Sequence, residues 1–149
     1  MPEAIDVGLP PLKQPFSWMV RANGLLFTAH GPVRPDGSID TGPIEQQTRL
    51  TLDNLRRAVQ AAGSTLADVA QVLVYMTDVA DSPAIDAVYR EYFKPPYPNR
   101  SSCGVALVVP GMKIEIVAYV AMPQGWEDCL DVARMVGHGQ DPTGIALSA

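Results

Sequence analysis

The sequence predicts an α+β fold in which a mixed sheet carries two helices on one face, in the chain order β-β-α-β-α-β-β. Sequence patterns typical of β-hairpins lie at both ends of residues 16–121, where apolar, β-prone segments flank short glycine-containing turns. Between them, two segments with helical periodicity are separated by one short apolar run. Strands at both ends and helices that cover the same side of a sheet are typical of an α+β layer fold.

The first hairpin is predicted from its turn chemistry. Residues 16–20 and 25–28 are strand-like, and Asn23-Gly24 between them favours a tight turn. The proline-rich residues 1–15 show no periodicity, so we expect an extended lead-in before the hairpin.

The first helix is predicted over residues 44–62. Pro43 suits a helix start, Thr41 is a plausible cap, and Gly63 is a natural stop. Apolar residues recur at three- and four-residue steps along this segment, which indicates one face packed toward a sheet. These residues are Leu52, Leu55, Val59 and Ala62.

A strand and a second helix are predicted next. Residues 65–68 have the pattern of a capping box and are expected to form a single turn. Residues 69–76 are apolar, rich in β-branched side chains and too short for a typical helix, which indicates a strand. Ser82-Pro83 begins the second helix, and the prolines in residues 94–98 end it. Its buried stripe is expected to be Ile85, Val88, Tyr89, Tyr92 and Phe93.

The last strands contain a pair of charged residues that suggests a function. Residues 105–109 and 114–121 are apolar, and Pro110-Gly111 between them predicts a hairpin that brings Arg100 and Glu115 to one sheet edge. Arginine fits a carboxylate bidentately, and glutamate can orient and deprotonate a water. This pair suits hydrolysis of a small carboxylate-bearing molecule, but a purely structural cross-strand ion pair is the alternative.

Composition argues against several classes of function. The net charge is −5 and there is no basic cluster, so nucleic-acid binding is not expected. No apolar run approaches a membrane span and no signal-peptide pattern is present, so we expect a cytoplasmic protein. Cys103 and Cys129 are expected to be reduced. His30 and His138 are far apart in sequence, so no metal site is predicted.

Seven sequence blocks, in order and spacing, resemble a known family. They are Leu25-Leu26-Phe27-Thr28, Gln46-Gln47-Thr48-Arg49 with Leu52-Asp53-Asn54-Leu55, Ala61-Ala62-Gly63-Ser64, Val74-Tyr75-Met76-Thr77-Asp78, Val88-Tyr89-Arg90-Glu91-Tyr92-Phe93, Pro98-Asn99-Arg100-Ser101 and Lys113-Ile114-Glu115-Ile116. The family is the Rid (YjgF/YER057c/UK114) family, formerly labelled endoribonuclease L-PSP. We therefore predict a single Rid-like domain over residues 1–122.

The resemblance implies a chorismate-mutase-like α+β fold that assembles as a homotrimer, with ligand clefts between adjacent subunits. It also implies hydrolytic deamination of small 2-imino or 2-enamino acids to 2-keto acids, with release of ammonia and without a cofactor. The family's carboxylate-binding arginine falls on Arg100, and its water-orienting glutamate falls on Glu115. The predicted ligand is a small carboxylate-bearing metabolite.

Several positions depart from the residues usual in the family. Phe16 replaces a tyrosine, Ala29 a serine, Asp86 an asparagine and Ser102 a cysteine, and His30 stands where a small residue is usual. Phe16 can stack on a ligand or pack in a core or interface, and Ser102 can bind substrate or satisfy a strand end. His30 can act as an acid, base or ligand donor near neutral pH, or only fill space in a loop. Asp86 is expected to be solvated or helix-supporting.

These departures keep other functions open. One alternative is a non-catalytic carboxylate-binding or regulatory trimer, and another is a deaminase of an aminoacrylate- or aminomuconate-like intermediate. Cys103 lies one residue after Ser102, so it is expected to point to the opposite face of its strand. Residues 123–149 form an extension beyond the resemblance, for which we predict a short helix followed by a loose polar tail. The predicted helix face consists of Trp126, Cys129, Leu130, Ala133 and Val136.

Overall fold

The computed structural model describes residues 1–122 as a six-stranded mixed sheet with two helices, which confirms the predicted α+β fold. The strands are β1 (Glu3–Ala4), β2 (Met19–Ala22), β3 (Leu25–His30), β4 (Val69–Met76), β5 (Asn99–Gly104) and β6 (Ile114–Ala121). The helices are α1 (Ile44–Ala61) and α2 (Ser82–Tyr92), and the predicted helix and tail of 123–149 lie outside the described residues.

The sheet order is β1-β2-β3-β6-β4-β5, with β4 and β5 parallel and all other neighbours antiparallel. Along β6, Ile114, Ile116 and Ala118 are buried, whereas the alternating Glu115 and Val117 are half-buried. Because successive side chains of a strand point to opposite faces, this pattern divides the sheet into a helix-covered face and an open face.

Both helices bury most of the predicted stripes, whereas Ala62 and Tyr92 are half-buried. Leu52, Leu55 and Val59 of α1 are fully buried, as is Ile85 of α2. Gly63 ends α1 with a φ of 82°, a backbone conformation that glycine adopts without steric cost. The predicted Thr41 cap is wrong: Pro43 occupies the cap position, and within residues 1–122 the helix start has no side-chain cap hydrogen bond.

The first hairpin is confirmed, although its first strand begins later than predicted. Asn23 and Gly24 have φ angles of 52° and 75°, as a two-residue turn with positive φ at both positions requires. Pairing with β3 begins at Met19, so Phe16 precedes the strand. The expected extended lead-in also contains β1, which pairs with β2 and which the proline-rich composition does not reveal.

The predicted closing hairpin is wrong. Strand β5 lies at residues 99–104 and pairs in parallel with β4, while β6 is inserted between β3 and β4. A chain that leaves β4 and returns through a helix enters the sheet parallel to the strand that it left. Residues 105–113 are therefore a connection across the sheet. Val108, within its apolar run, is 94% exposed.

The connection is held by one buried side chain of α1. The Gln47 amide nitrogen donates to the carbonyls of Gly42 and Gly111, at 3.1 and 3.0 Å, and Lys113 N–H donates to the Gln47 oxygen at 2.8 Å. Gln47 is fully buried, so these bonds are made without competition from water. They join the start of α1 to the turn that precedes β6.

We predict that Gln47→Leu lowers the free energy of unfolding by about 1–3 kcal/mol, because it leaves partly buried backbone groups of Gly111 and Lys113 without their partner in α1. Urea denaturation measures this loss. Gln60→Leu is the matched control: Gln60 is exposed on the same helix, so a change within about 0.5 kcal/mol is expected. Equal losses in the two variants would contradict the role given to Gln47.

Candidate functional site

Within one subunit, the structure does not bring Arg100 and Glu115 together. Arg100 is in register with Val72 of β4, whose side chain is buried on the helix-covered face of the sheet. Glu115 is in register with Tyr75, three residues further along β4, so its side chain points to the open face. Strand β4 also lies between their two strands. The predicted juxtaposition and the alternative cross-strand ion pair are therefore both wrong, and each residue lies at a different cavity.

Arg100 is held in a cavity of about 220 Å³ between β5 and α2. Its terminal nitrogen lies 2.7 Å from Asp86 Oδ1, and its Nε–H donates to Ser102 Oγ at 3.0 Å. The guanidinium also lies over the Tyr89 ring, with 4.6 Å between Cζ and the ring centroid. Three contacts in different directions hold the guanidinium in place, as recognition of a planar carboxylate requires.

Tyr89 contributes an unused hydroxyl at this cavity. It is 4% exposed, and within residues 1–122 its buried oxygen has no hydrogen-bond partner. Burial raises the pKa of Tyr89 to about 12, a shift that the neighbouring Arg100 charge partly opposes. The hydroxyl is therefore protonated at neutral pH and can donate a hydrogen bond to a ligand.

Ser102 and Cys103 lie on opposite faces of β5, as predicted. Ser102 is in register with Val74 and shares its face with Arg100, whereas Cys103 is in register with Tyr75. The Cys103 thiol is free and exposed. Ser102 is therefore the member of this pair that can act beside Arg100.

Glu115 lies at a second cavity, of about 330 Å³, where β3 ends and β6 begins. The walls come from the lead-in, from the end of β3 and from the 105–113 connection, and they are mostly apolar. They include Phe16, Trp18, Ala29, His30, Val109 and Met112. Burial raises the pKa of the Glu115 carboxyl. Among the described residues, no side chain or backbone group forms a hydrogen bond or ion pair with that carboxyl.

Three aromatic rings form one wall of the Glu115 cavity. Phe16 is 48% exposed and meets Trp18 edge-on at 4.8 Å between ring centroids, and Trp18 lies parallel to His30 at 5.7 Å. Phe16 therefore packs edge-on against Trp18 and keeps an exposed surface at the cavity, on which a ligand can stack.

His30 is buried at the end of β3 and is not a loop residue. Its Nε2 lies 2.6 Å from Thr28 Oγ1, and that hydroxyl already donates to the Trp18 carbonyl, so His30 Nε2 is the donor. Burial lowers the pKa of His30 from 6.5 to about 3. Of the two alternatives for His30, proton transfer near neutral pH is therefore wrong, because the ring stays neutral there.

Sequence reasoning missed two contributors to the Arg100 cavity. Asp86 was expected to be solvated or helix-supporting, but it pairs with Arg100, and Tyr89 was expected only in the apolar stripe. The two residues are three positions apart in α2, so they lie on the same face of the helix. That spacing was visible in the sequence, but the parallel return of β5 beside this face was not.

The fold and the two cavities, one lined by Arg100 and the other by Glu115, define a small α+β domain with two candidate ligand sites. The profile of the family described as Endoribonuclease L-PSP matches residues 9–122. The chain belongs to this family, which confirms the predicted Rid membership.

Named relatives agree with this assignment. Protein mmf2, mitochondrial, of Schizosaccharomyces pombe is 34% identical over 110 residues, covering 72% of this chain and 87% of that protein. The 2-iminobutanoate/2-iminopropanoate deaminase of Dermatophagoides farinae is 34% identical over 82 residues, covering 55% and 64%. The crystal structure of Escherichia coli TdcF with bound serine superposes with a TM-score of 0.73 at 31% identity, covering 81% and 99%.

The helices of residues 1–122 do not meet the requirements of a membrane-spanning helix. Neither α1 nor α2 combines the length and the apolar character that a membrane-crossing helix needs.

We predict that His30 makes the protein less stable in acid. The folded state keeps His30 neutral while the unfolded chain protonates it near pH 6.5, so stability falls as the pH drops from about 6.5 toward 3. Between pH 7 and 5 this loss amounts to about 2 kcal/mol. Urea denaturation at both pH values measures it, and His30→Gln should remove that part of the pH dependence. The same pH dependence in both proteins would show that His30 is not the group responsible.

Proposed function

We propose that this protein hydrolyses a small 2-imino or 2-enamino acid to a 2-keto acid and ammonia, without a cofactor. The observation that carries the proposal is Glu115: a half-buried carboxyl with a raised pKa, unpaired among the described residues, at a largely apolar cavity. A carboxyl kept in this state without a structural partner is typical of an acid/base residue.

We further propose that the working site forms between two subunits of a homotrimer. Arg100 and Glu115 lie on different faces of one sheet, so Arg100 of a neighbouring copy is needed opposite Glu115. The open face supports such an assembly, because Leu25 and Phe27 of β3 are 36% and 37% exposed there. Exposed apolar residues on a sheet face favour burial against another copy of the chain.

In the proposed mechanism, Arg100 binds the substrate carboxylate, with Ser102 and Tyr89 as neighbouring hydrogen-bonding groups. Glu115 takes a proton from a water as that water attacks the imine carbon, and the proton is returned to the nitrogen. In the collapse of this adduct, Glu115 accepts the proton of the new hydroxyl and passes it to the departing nitrogen, so that the carbon–nitrogen bond breaks, the ketone forms and ammonia is released. The apolar walls limit competing water and keep the Glu115 carboxylate basic.

The named relatives support this chemistry. One is named a deaminase of 2-iminobutanoate and 2-iminopropanoate, and the TdcF structure holds serine, which shows that a relative binds a small carboxylate-bearing molecule. A cytoplasmic location and the absence of nucleic-acid and membrane partners remain predictions from the sequence.

The second candidate is a non-catalytic trimer that binds a carboxylate ligand. The ion pair between Asp86 and Arg100 favours it, because the arginine is already neutralised within its own subunit. Such a binder needs Arg100 but has no use for a basic Glu115.

We predict that Glu115→Gln separates the two candidates. The amide has nearly the same shape but accepts no proton, so an enzyme should lose turnover by about 100-fold or more while still binding a keto acid. In situ generation of 2-iminopropionate or 2-iminobutyrate, with ammonia detection, measures turnover. Wild-type turnover should also fall in acid, as Glu115 becomes protonated through its raised pKa. Unchanged turnover in the variant would remove Glu115 from the mechanism.

We predict that two inactive variants restore activity to each other. Arg100→Ala and Glu115→Gln should each be about 100-fold slower than wild type. When equal amounts are unfolded and refolded together, about a quarter of the interfaces combine an intact Arg100 with an intact Glu115, so about a quarter of wild-type activity should return. Each variant refolded alone is the control. No recovery in a confirmed mixed oligomer would exclude a site shared between subunits.

A further inference from the structure

We propose that Asp86 makes the Arg100 cavity selective for zwitterions, in which a cationic nitrogen stands next to the carboxylate. This inference rests on the proposed function and assigns its substrate class: the protonated 2-imino acid rather than a plain organic acid. Asp86 is then a specificity-determining residue that binds the nitrogen end of the ligand.

The first argument is the position of the Asp86 carboxylate. Its Oδ1 lies 2.7 Å from a terminal nitrogen of Arg100, and both side chains line the same cavity. A carboxylate bound by the guanidinium of Arg100 therefore lies beside Asp86. In a 2-imino acid the nitrogen is attached to the carbon next to the carboxylate, so it can approach Asp86 when the carboxylate contacts Arg100.

The second argument is the access that Asp86 retains. Its side chain is 36% exposed, whereas that of Arg100 is 21% exposed. Oδ1 is buried at Arg100, so the second carboxylate oxygen, Oδ2, provides the acceptor capacity for an N–H donor of a ligand. A residue that served only to neutralise Arg100 would not need to face the cavity.

The third argument is the balance of charge. Asp86 and Arg100 together are neutral, so a simple anion would bring one uncompensated negative charge next to Asp86. A zwitterion adds no net charge and offers opposite charges to both residues, which is the more favourable arrangement in a partly desolvated cavity. Arg90 also lines the cavity, but it is exposed and its charge is screened by solvent.

The neutral groups of the cavity suit both kinds of ligand. Tyr89 supplies a buried protonated hydroxyl at the cavity, and Ser102 supplies an exposed one next to Arg100, from which it accepts a hydrogen bond. Neither distinguishes an anion from a zwitterion by charge, so Asp86 is the group through which this discrimination can be changed. Asp86→Asn keeps the shape of the side chain, removes its negative charge and replaces one acceptor oxygen with an NH2 donor.

The test compares two ligands with the same carbon skeleton. Binding of 2-oxobutanoate, an anion, and of L-2-aminobutanoate, a zwitterion, is measured by calorimetric titration at pH 7. Wild type should prefer the zwitterion. Asp86→Asn should bind 2-oxobutanoate more tightly and L-2-aminobutanoate more weakly, which changes the ratio of their Kd values by about 10-fold or more.

Glu91→Gln is the matched control. Glu91 is also an acidic residue of α2 and forms an ion pair, at 2.8 Å with Arg49, but it does not line the cavity. This variant should leave the ratio of Kd values unchanged. Arg100→Ala should weaken binding of both ligands, which would show that the measured binding takes place in this cavity.

Three results would overturn the proposal: the same ratio in wild type and Asp86→Asn, an equal shift in Glu91→Gln, or no binding of either ligand to wild type. Imine turnover is measured separately. If wild type binds with the expected selectivity but releases no ammonia from any imine, the deaminase function fails while the selectivity of Asp86 stands. If turnover is present but the ratio does not change, only the role of Asp86 fails.

Discussion

The position of β4 between β5 and β6 is the constraint on which the site depends. The chain leaves β4, crosses over through α2 and returns in parallel as β5, while β6 takes the opposite edge of β4. Arg100 consequently faces α2, and Glu115 faces the open side of the sheet. A single subunit therefore keeps the two residues at separate cavities, and the proposed chemistry requires a second copy to bring them together.

Burial at the Glu115 cavity shifts the pKa values of two ionisable groups in opposite directions. Desolvation raises the pKa of the Glu115 carboxyl and lowers that of His30 to about 3, because the neutral form of each is favoured away from water. One physical cause thus produces a more basic carboxylate and a histidine that takes no part in proton transfer near neutral pH. The aromatic wall that includes Trp18 and Phe16 contributes to both effects through the water it excludes.

Features determined by a few neighbouring residues could be predicted from the sequence. The strand Val69–Met76, the turn at Asn23 and the stop at Gly63 follow from local composition and backbone preference, and all were confirmed. Pairing between distant segments could not be predicted in the same way, because the apolar run 105–109 matches a strand pattern while no neighbouring strand is available to it. The error at the closing hairpin also produced the error about Arg100 and Glu115.

The partner of Arg100 shows why the chemistry of a site cannot be inferred from one charged pair. Sequence spacing suggested Glu115, but the structure places Asp86 at 2.7 Å, so within the subunit the arginine is compensated before any ligand arrives. A carboxylate ligand must then compete with Asp86 for the guanidinium or contribute a positive charge of its own. A ligand that contributes its own positive charge keeps the cavity neutral. The two proposals therefore concern different aspects of the site: in the proposed trimer the neighbouring subunit supplies the missing half, and in the proposed selectivity Asp86 determines which carboxylates can occupy it.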